Sequence, residues 1–174
     1  GIWGAGPIGL LCAAWSQIMG ASRVIVIDNV PNRLKRAMNF LGVETINFDE
    51  KDPVTTIQEI CPGGLDAAID CAAFRYAKTL LHKMERAVGL ETDACEVPNE
   101  MIKLVKKFGY VVLIADYAGY TNHFNIGAVM EKGIRFIGGG QAPVQKYWKQ
   151  ILSDYIQTGK LDKAFKTILT HRYK

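Results

Sequence analysis

Short apolar runs alternate with stretches of helical periodicity along the whole chain. The run at residues 23–27 is β-branched and apolar on both faces, which is typical of a central strand in a parallel sheet. Residues 7–19 show the other pattern, because their apolar side chains recur along one face of a helix. This alternation predicts parallel strands that are joined by crossover helices.

The pattern divides the chain into elements of a single domain, residues 1–174. The predicted strands are residues 1–3, 23–27, 43–48, 65–71, 110–115 and 134–137. The predicted helices are residues 7–19, 31–41, 54–60, two stretches within 77–107, 127–132 and 144–157. Residues 77–107 exceed the length that one crossover needs, so we interpret them as an insertion. The predicted fold class is α/β, a doubly wound six-stranded parallel sheet.

Composition narrows the class of protein. The 174 residues are 49% hydrophobic and 22% charged, as in one ordinary soluble globular domain. A net charge of +4 without a run of five like charges predicts no nucleic-acid or membrane partner. The apolar runs are too short to span a bilayer and no signal-peptide pattern is present, so we expect a cytoplasmic protein. The cysteines and histidines lack metal-ligand spacing, which predicts free thiols and no metal site.

A glycine-rich turn of the form G-x-G-x-x-G leaves the first strand and opens the first helix. Gly4 permits a tight turn, Gly6 lets a pyrophosphate approach the backbone, and Gly9 lets the helix pack close to the strand. Pro7 has no N–H, so Ile8 and Gly9 are the predicted donors to the phosphates. The alternative is that the glycines only make a tight strand-to-helix turn.

An acidic residue, Asp28, follows the second predicted strand 19 positions after Gly9. A carboxylate there accepts both hydroxyls of a ribose and repels a 2′-phosphate, so NAD is preferred over NADP. The basic residues Arg33, Lys35 and Arg36 oppose this preference, because such a cluster can stabilise a 2′-phosphate. The alternative is that Asp28 only caps the next helix. Together, turn and acid predict a dinucleotide-binding Rossmann fold.

Further motifs carry a family resemblance. They are Gly4-Ala5-Gly6-Pro7-Ile8-Gly9, Val26-Ile27-Asp28, Ala68-Ile69-Asp70-Cys71, Met130-Glu131-Lys132-Gly133, Gly140-Gln141-Ala142-Pro143-Val144 with Lys146-Tyr147, and Leu169-Thr170-His171-Arg172. On these residues the chain resembles the coenzyme-binding domain of zinc-containing medium-chain alcohol dehydrogenases. It resembles specifically the branch that includes glutathione-independent formaldehyde dehydrogenases.

This resemblance implies that NAD binds across the carboxyl ends of the strands. It implies that Ile8 lies against the pyrophosphate, Asp28 on the adenosine ribose and Arg33 beside the adenosine. On the nicotinamide side it implies Ala72, Asp116, Gly140, Gln141 and Ala142. The chain departs from the family pattern at Ala73, where a glycine is usual, and at Asp116, where small apolar residues are more usual.

In that family a preceding domain supplies the catalytic zinc, its ligands, the structural zinc and most of the pocket for a small alcohol or aldehyde. The chain contains none of that domain, so we expect a fragment that binds NAD, holds no zinc and has no catalytic residues of its own. Without a Lewis acid we expect no hydride transfer by the chain alone. The resemblance also implies a homo-oligomer in which the edge strand at residues 134–137 pairs with its symmetry mate.

Three other interpretations compete. An S-adenosylmethionine methyltransferase shares the glycine turn and the acid, but usually lacks the third glycine and has a reversed last hairpin. A short-chain dehydrogenase needs Y-x-x-x-K, which this sequence does not contain. The third is a non-catalytic nucleotide-binding or oligomerisation module. Tyr76, Lys78 and His82 could form an acid/base set, but we interpret them as a solvated helix face.

Overall fold

The computed structural model describes residues 1–72, 80–171 and 173. Its strands are β1 Ile2–Trp3, β2 Ile25–Asp28, β3 Glu44–Asn47, β4 Leu65–Asp70, β5 Val105–Leu113 and β6 Arg135–Gly138. They form one sheet in the order β3-β2-β1-β4-β5-β6, and every neighbouring pair is parallel. The order reverses between β1 and β4, as in a doubly wound dinucleotide-binding fold. The predicted fold class is therefore confirmed.

Helices connect the strands on both faces of the sheet. They are α1 Pro7–Ile18, α2 Pro31–Arg36, α3 Pro53–Ile60, α4 Leu80–Ala87, α5 Glu96–Leu104, α6 Ile126–Lys132, α7 Val144–Ile151 and α8 Asp162–Ile168. Proline begins each of the first three, where its missing N–H has no helical acceptor to lose. The helices predicted at residues 31–41 and 144–157 each change to a π-helical turn, at Ala37–Leu41 and Leu152–Ile156.

Two apolar cores flank the sheet, because successive side chains of a strand point to opposite faces. Ile2 and Val26 pack with α1 and α8 on one face. Trp3, Ile25 and Ile27 pack with α3 and α5 on the other. All four residues of β2 are buried, which confirms the prediction of a central strand.

The boundary between α5 and β5 corrects the sequence prediction. The strand begins at Val105, five residues before the predicted start at residue 110, and its register with β4 shifts between Leu65 and Ala67. Two adjacent lysines at the start of the strand hide its apolar signal. Met101 and Ile102 of α5 are fully buried, so α5 is the crossover helix. The excess length of the predicted insertion lies before α5.

Helix α8 was not predicted at all, and it packs against α1.

Some residues named in the sequence predictions lie outside the part of the chain that the structure describes. They are Ala73, Tyr76, Lys78 and the side chain of His82. Within that part, every helix is too short or too polar to cross a membrane. Strand β6 lies at one edge of the sheet, as predicted, and its residues are exposed.

Candidate functional site

The candidate site is the crevice at the carboxyl ends of β1 and β4, where the strand order reverses. The topology brings the predicted binding residues to this edge. Gly4, Gly6, Ile8 and Gly9 follow β1, Asp28 ends β2, Arg33 lies in α2, Ala72 follows β4, Asp116 follows β5, and Gly140, Gln141 and Ala142 follow β6. We refer to the side of β2 as the adenosine side and to the side of β4 and β5 as the nicotinamide side.

The three glycines of the turn have different reasons for being glycine. Gly4 has φ +100°, and a Cβ on it would lie 2.8 Å from the Cys71 carbonyl oxygen. A Cβ on Gly9 would lie 1.8 Å from the Gly4 carbonyl oxygen. Gly6 has an ordinary φ of −68°, and a Cβ on it would meet no atom within 4 Å. The packing of the chain therefore explains why residues 4 and 9 are glycines. At Gly6 the space is open, and we refer to this open space as the cradle.

The start of α1 faces that cradle. Gly6 is the N-cap, and no side chain caps the helix. The Leu10 N–H donates the first intrahelical bond, to the Gly6 carbonyl at 2.9 Å, so the amides of Ile8 and Gly9 precede the helical bonding pattern. These amides and the positive end of the helix dipole favour an anion. Ile8 is 52% exposed at this position, although its side chain is apolar.

Asp28 joins the glycine turn to the end of β2. It is only 6% exposed, and its Oδ2 accepts a 2.6 Å hydrogen bond from the Ala5 N–H. Its Oδ1 accepts from the N–H groups of Asn29 and Val30, both at 2.8 Å. Val30, not Asp28, is the N-cap of α2, and Asp28 accepts the N–H of that residue rather than one within the helix. Oδ1 thus accepts two hydrogen bonds and Oδ2 accepts one, so Oδ2 retains a lone pair for a ribose hydroxyl.

An arginine lies beside this carboxylate. Arg33 Nη1 is 3.8 Å from Asp28 Oδ2, and the Arg33 side chain is 53% exposed. Arg36, the other predicted arginine of the basic cluster, turns away from the crevice and donates to the carbonyls of Thr167 and Leu169 at 2.8 and 2.6 Å. The basic cluster near Asp28 is therefore smaller than the sequence indicated.

On the nicotinamide side a second aspartate ends a strand. Asp70 is fully buried, its Oδ1 accepts from the Ala72 N–H at 2.9 Å, and its Oδ2 accepts from the Tyr117 hydroxyl at 2.5 Å. Burial, the nearby Asp70 charge and this hydrogen bond raise the pKa of Tyr117 above its ordinary value, so Tyr117 stays a donor. The predicted residue Asp116 is exposed beside Tyr117.

A third buried carboxylate holds the same loop from the other side. Asp93 is 1% exposed and accepts from the N–H groups of Ala118 and Gly119 at 3.0 and 2.6 Å. The sequence predictions did not name Asp70, Asp93 or Tyr117 as site residues. For Asp70 a signal was available, because it is an acidic residue at the end of an apolar strand, as Asp28 is.

The loop after β6 completes the edge. Gly139 N–H donates to the Leu113 carbonyl at 2.7 Å, which ties the start of this loop to the end of β5. The predicted residues Gly140, Gln141 and Ala142 follow it and are exposed. Across residues 1–72, 80–171 and 173, no three His, Cys, Asp or Glu side chains are grouped so that they could hold a metal ion.

Comparison with known proteins connects this site to a family of enzymes. Residues 7–90 match the family model described as zinc-binding dehydrogenase. This match covers a little less than half of the chain. A zinc-type alcohol dehydrogenase-like protein of Schizosaccharomyces pombe is 44% identical over 162 residues, which cover 92% of this chain and 38% of the relative.

Two further matches show how much of the chain, and how much of each known protein, is covered. The crystal structure of benzyl alcohol dehydrogenase from Acinetobacter calcoaceticus matches with a TM-score of 0.72 and 25% identity, over 93% of this chain and 40% of that one. A glutathione-independent formaldehyde dehydrogenase of Bacillus subtilis is 44% identical over 75 residues, 42% of this chain and 18% of the relative. The chain thus spans about two fifths of the length of the two proteins that match most of it, the Schizosaccharomyces pombe relative and the benzyl alcohol dehydrogenase. The formaldehyde branch stays a prediction.

Proposed function

We propose that residues 1–174 form the NAD-binding domain of a zinc-dependent alcohol dehydrogenase. In the full enzyme this domain presents the nicotinamide for hydride transfer to or from a small alcohol or aldehyde. The observation that carries the proposal is the open cradle at Gly6, which lies at the start of α1 and beside the buried carboxylate of Asp28. No contact within the turn explains a glycine there, whereas a pyrophosphate group does.

The residues of the turn fit the phosphates of NAD. The amides of Ile8 and Gly9 donate to the pyrophosphate oxygens, and the dipole of α1 favours their charge. The apolar side chain of Ile8 lies over the pyrophosphate and shields it from water. Asp28 accepts a hydroxyl of the adenosine ribose through the remaining lone pair of Oδ2, and Arg33 borders the adenosine. Gly4 and Gly9 keep the strand and helix close enough for this geometry.

The same residues favour NAD over NADP. A 2′-phosphate on the adenosine ribose would bring its negative charge next to the buried carboxylate of Asp28. Arg33 offsets this repulsion in part, but its side chain is more than half exposed and its charge is screened by water. The Asp28 carboxylate therefore determines the preference.

The nicotinamide side includes Ala72, Asp116, Gly140, Gln141 and Ala142 in the proposed site. NAD, when bound, supplies the carbon atom that accepts the hydride. Zinc would supply the Lewis acid, but across the described residues no three His, Cys, Asp or Glu side chains are grouped to hold it. We assign no catalytic residue to the chain itself.

The finer assignments extend the same proposal. A formaldehyde-type substrate is suggested by the G-Q-x-P-V-x-K-Y stretch and by the similarity to the Bacillus subtilis enzyme. Pairing of β6 with its symmetry mate in a homo-oligomer and a cytoplasmic location stay predictions. The methyltransferase alternative is not favoured, because β6 runs parallel to β5 and the reversed last hairpin of that class is missing from the sheet.

Calorimetric titration of the chain with NAD, NADP and S-adenosylmethionine tests the proposal. We expect NAD to bind most tightly and S-adenosylmethionine not to bind. In Asp28→Ala we expect NAD affinity to fall about tenfold, since a ribose acceptor is lost, while NADP affinity changes less. Asp66→Ala, which removes an exposed aspartate at the amino end of β4, on the edge of the sheet opposite to the crevice, is the matched control. Equal affinity of the unaltered chain for NAD and NADP would contradict the assignment of Asp28.

A further inference from the structure

The two ends of a dinucleotide meet different parts of this crevice. The glycine turn lies above β1, and Asp28 ends the neighbouring strand β2. A dinucleotide that places its pyrophosphate at the turn and its adenosine ribose at Asp28 must extend its other half over β4 and β5. Of the loops that follow these two strands, the described residues, Ala72 after β4 and residues 114–119 after β5, therefore form the wall that faces the nicotinamide riboside.

Asp70 holds both of these loops at once. Its side chain accepts from the Ala72 N–H in the loop after β4 and from the Tyr117 hydroxyl in the loop after β5. Its main-chain carbonyl accepts from the N–H groups of Ile114 and Ala115, at 3.0 and 2.9 Å. One fully buried residue thus fixes the separation of the two loops.

Tyr117 is anchored on its other side as well. The next two residues of its loop, Ala118 and Gly119, donate their N–H groups to the buried carboxylate of Asp93. A buried carboxylate is costly unless donors satisfy it, so these hydrogen bonds strongly constrain the loop. The segment from Tyr117 to Gly119 is therefore held between two buried carboxylates.

We propose that Asp70 and Tyr117 are positioning residues that set the wall of the crevice against the nicotinamide riboside. This inference rests on the proposed function, because it assumes that NAD occupies the crevice. Tyr117 acts through Asp70 and Ala72, and its hydroxyl is already committed as a donor to Asp70. The pair therefore determines how tightly the nicotinamide half is held, and the adenosine half depends on the glycine turn and Asp28.

Titration with two ligands separates these halves. NAD and ADP share the adenosine and the pyrophosphate, but ADP lacks the nicotinamide riboside. In Tyr117→Phe we expect NAD affinity to fall about tenfold and ADP affinity to change less than about twofold, because one hydrogen bond to a buried carboxylate is lost. Tyr120→Phe is the matched control. It removes a hydroxyl of the same loop that donates to the Gly89 carbonyl at 3.1 Å, and we expect no change for either ligand.

A second variant guards against a folding defect in the first. Asp70→Asn keeps the size of the side chain and one acceptor oxygen, and we expect a smaller loss of NAD affinity with ADP unchanged. Thermal unfolding of each variant is measured alongside.

Equal losses of affinity for NAD and ADP in both variants would show a merely structural role and overturn the inference. Unchanged NAD affinity in both variants would overturn it as well. If the unaltered chain binds ADP but gains nothing from the nicotinamide riboside of NAD, the inference is wrong while the adenosine site stands. If it binds neither ligand, the proposed function fails with it.

Discussion

The adenosine and nicotinamide sides of the crevice are built in different ways. On the adenosine side, the turn and the start of its helix lie within residues 4–10. Two hydrogen bonds join the turn to β2, from Gly4 N–H to the Ile27 carbonyl and from Ala5 N–H to Asp28, each across 23 positions. On the nicotinamide side, the bond from Tyr117 to Asp70 spans 47 positions, and that from Gly119 to Asp93 spans 26. A short motif specifies the first side, whereas folding of distant loops assembles the second.

The largest effect is expected from a substitution that disrupts the glycine turn on the adenosine side. In Gly9→Ala the new Cβ would lie 1.8 Å from the Gly4 carbonyl oxygen, so backbone must move. We expect the free energy of unfolding to fall by about 3 kcal/mol, as for an overpacked core, measured by urea denaturation. An unfolding free energy equal to that of the unaltered chain would show that the turn tolerates a wider separation of β1 and α1.

An intermediate effect is expected from loosening the nicotinamide side. Asp93→Ala leaves the amides of Ala118 and Gly119 without their carboxylate. We expect the free energy of unfolding to fall by about 2 kcal/mol, less than in Gly9→Ala because water can reach the loop. Asp93→Asn keeps one acceptor oxygen and should lose about half as much. Equal stability of Asp93→Ala and the unaltered chain would contradict the role of this carboxylate in holding the loop.

The smallest effect is expected at the amino ends of β2 and β3, far from the carboxyl ends that form the crevice. This region serves as a baseline for the adenosine side and the nicotinamide side. Arg23 and Glu44 form an exposed ion pair at 2.8 Å, and the Arg23 guanidinium lowers the pKa of Glu44. A carboxyl group whose pKa is lowered on folding contributes stability above its unfolded pKa, and loses it as pH falls through the folded value. We therefore expect Arg23→Ala to be slightly destabilising at neutral pH, with the difference vanishing in acid. NAD affinity should not change, and a clear loss of affinity would contradict the separation of this edge from the crevice.

The sequence predicted what depends on local pattern. Periodicity predicted the parallel direction of the strands and the central position of β2. The spacing of Gly9 and Asp28 predicted the location of the glycine turn. Helix α8 escaped prediction because its two buried residues, Ala164 and Thr167, are too small or too polar to give an apolar stripe. The start of β5 was misplaced because lysines face solvent there.

The nicotinamide side could be inferred only through the family resemblance. Ala72 and Asp116 follow strands, but the sequence does not indicate that Asp70 joins their loops through Tyr117. Asp93 lies in a stretch that the sequence presents only as acidic and prone to turn. Contacts between residues so far apart depend on the folded sheet, which local spacing does not encode.

The most direct test of the central claim fills the open cradle. Gly6→Ala adds a Cβ that meets no atom of the chain within 4 Å, at a φ that any residue adopts, so the fold should be retained. Gly127→Ala in α6 is a matched control with equally open space. We predict by calorimetric titration that Gly6→Ala weakens NAD binding about tenfold or more, while Gly127→Ala binds as the unaltered chain does. Equal NAD affinity in the two variants would contradict the account, because the cradle would then not hold the pyrophosphate.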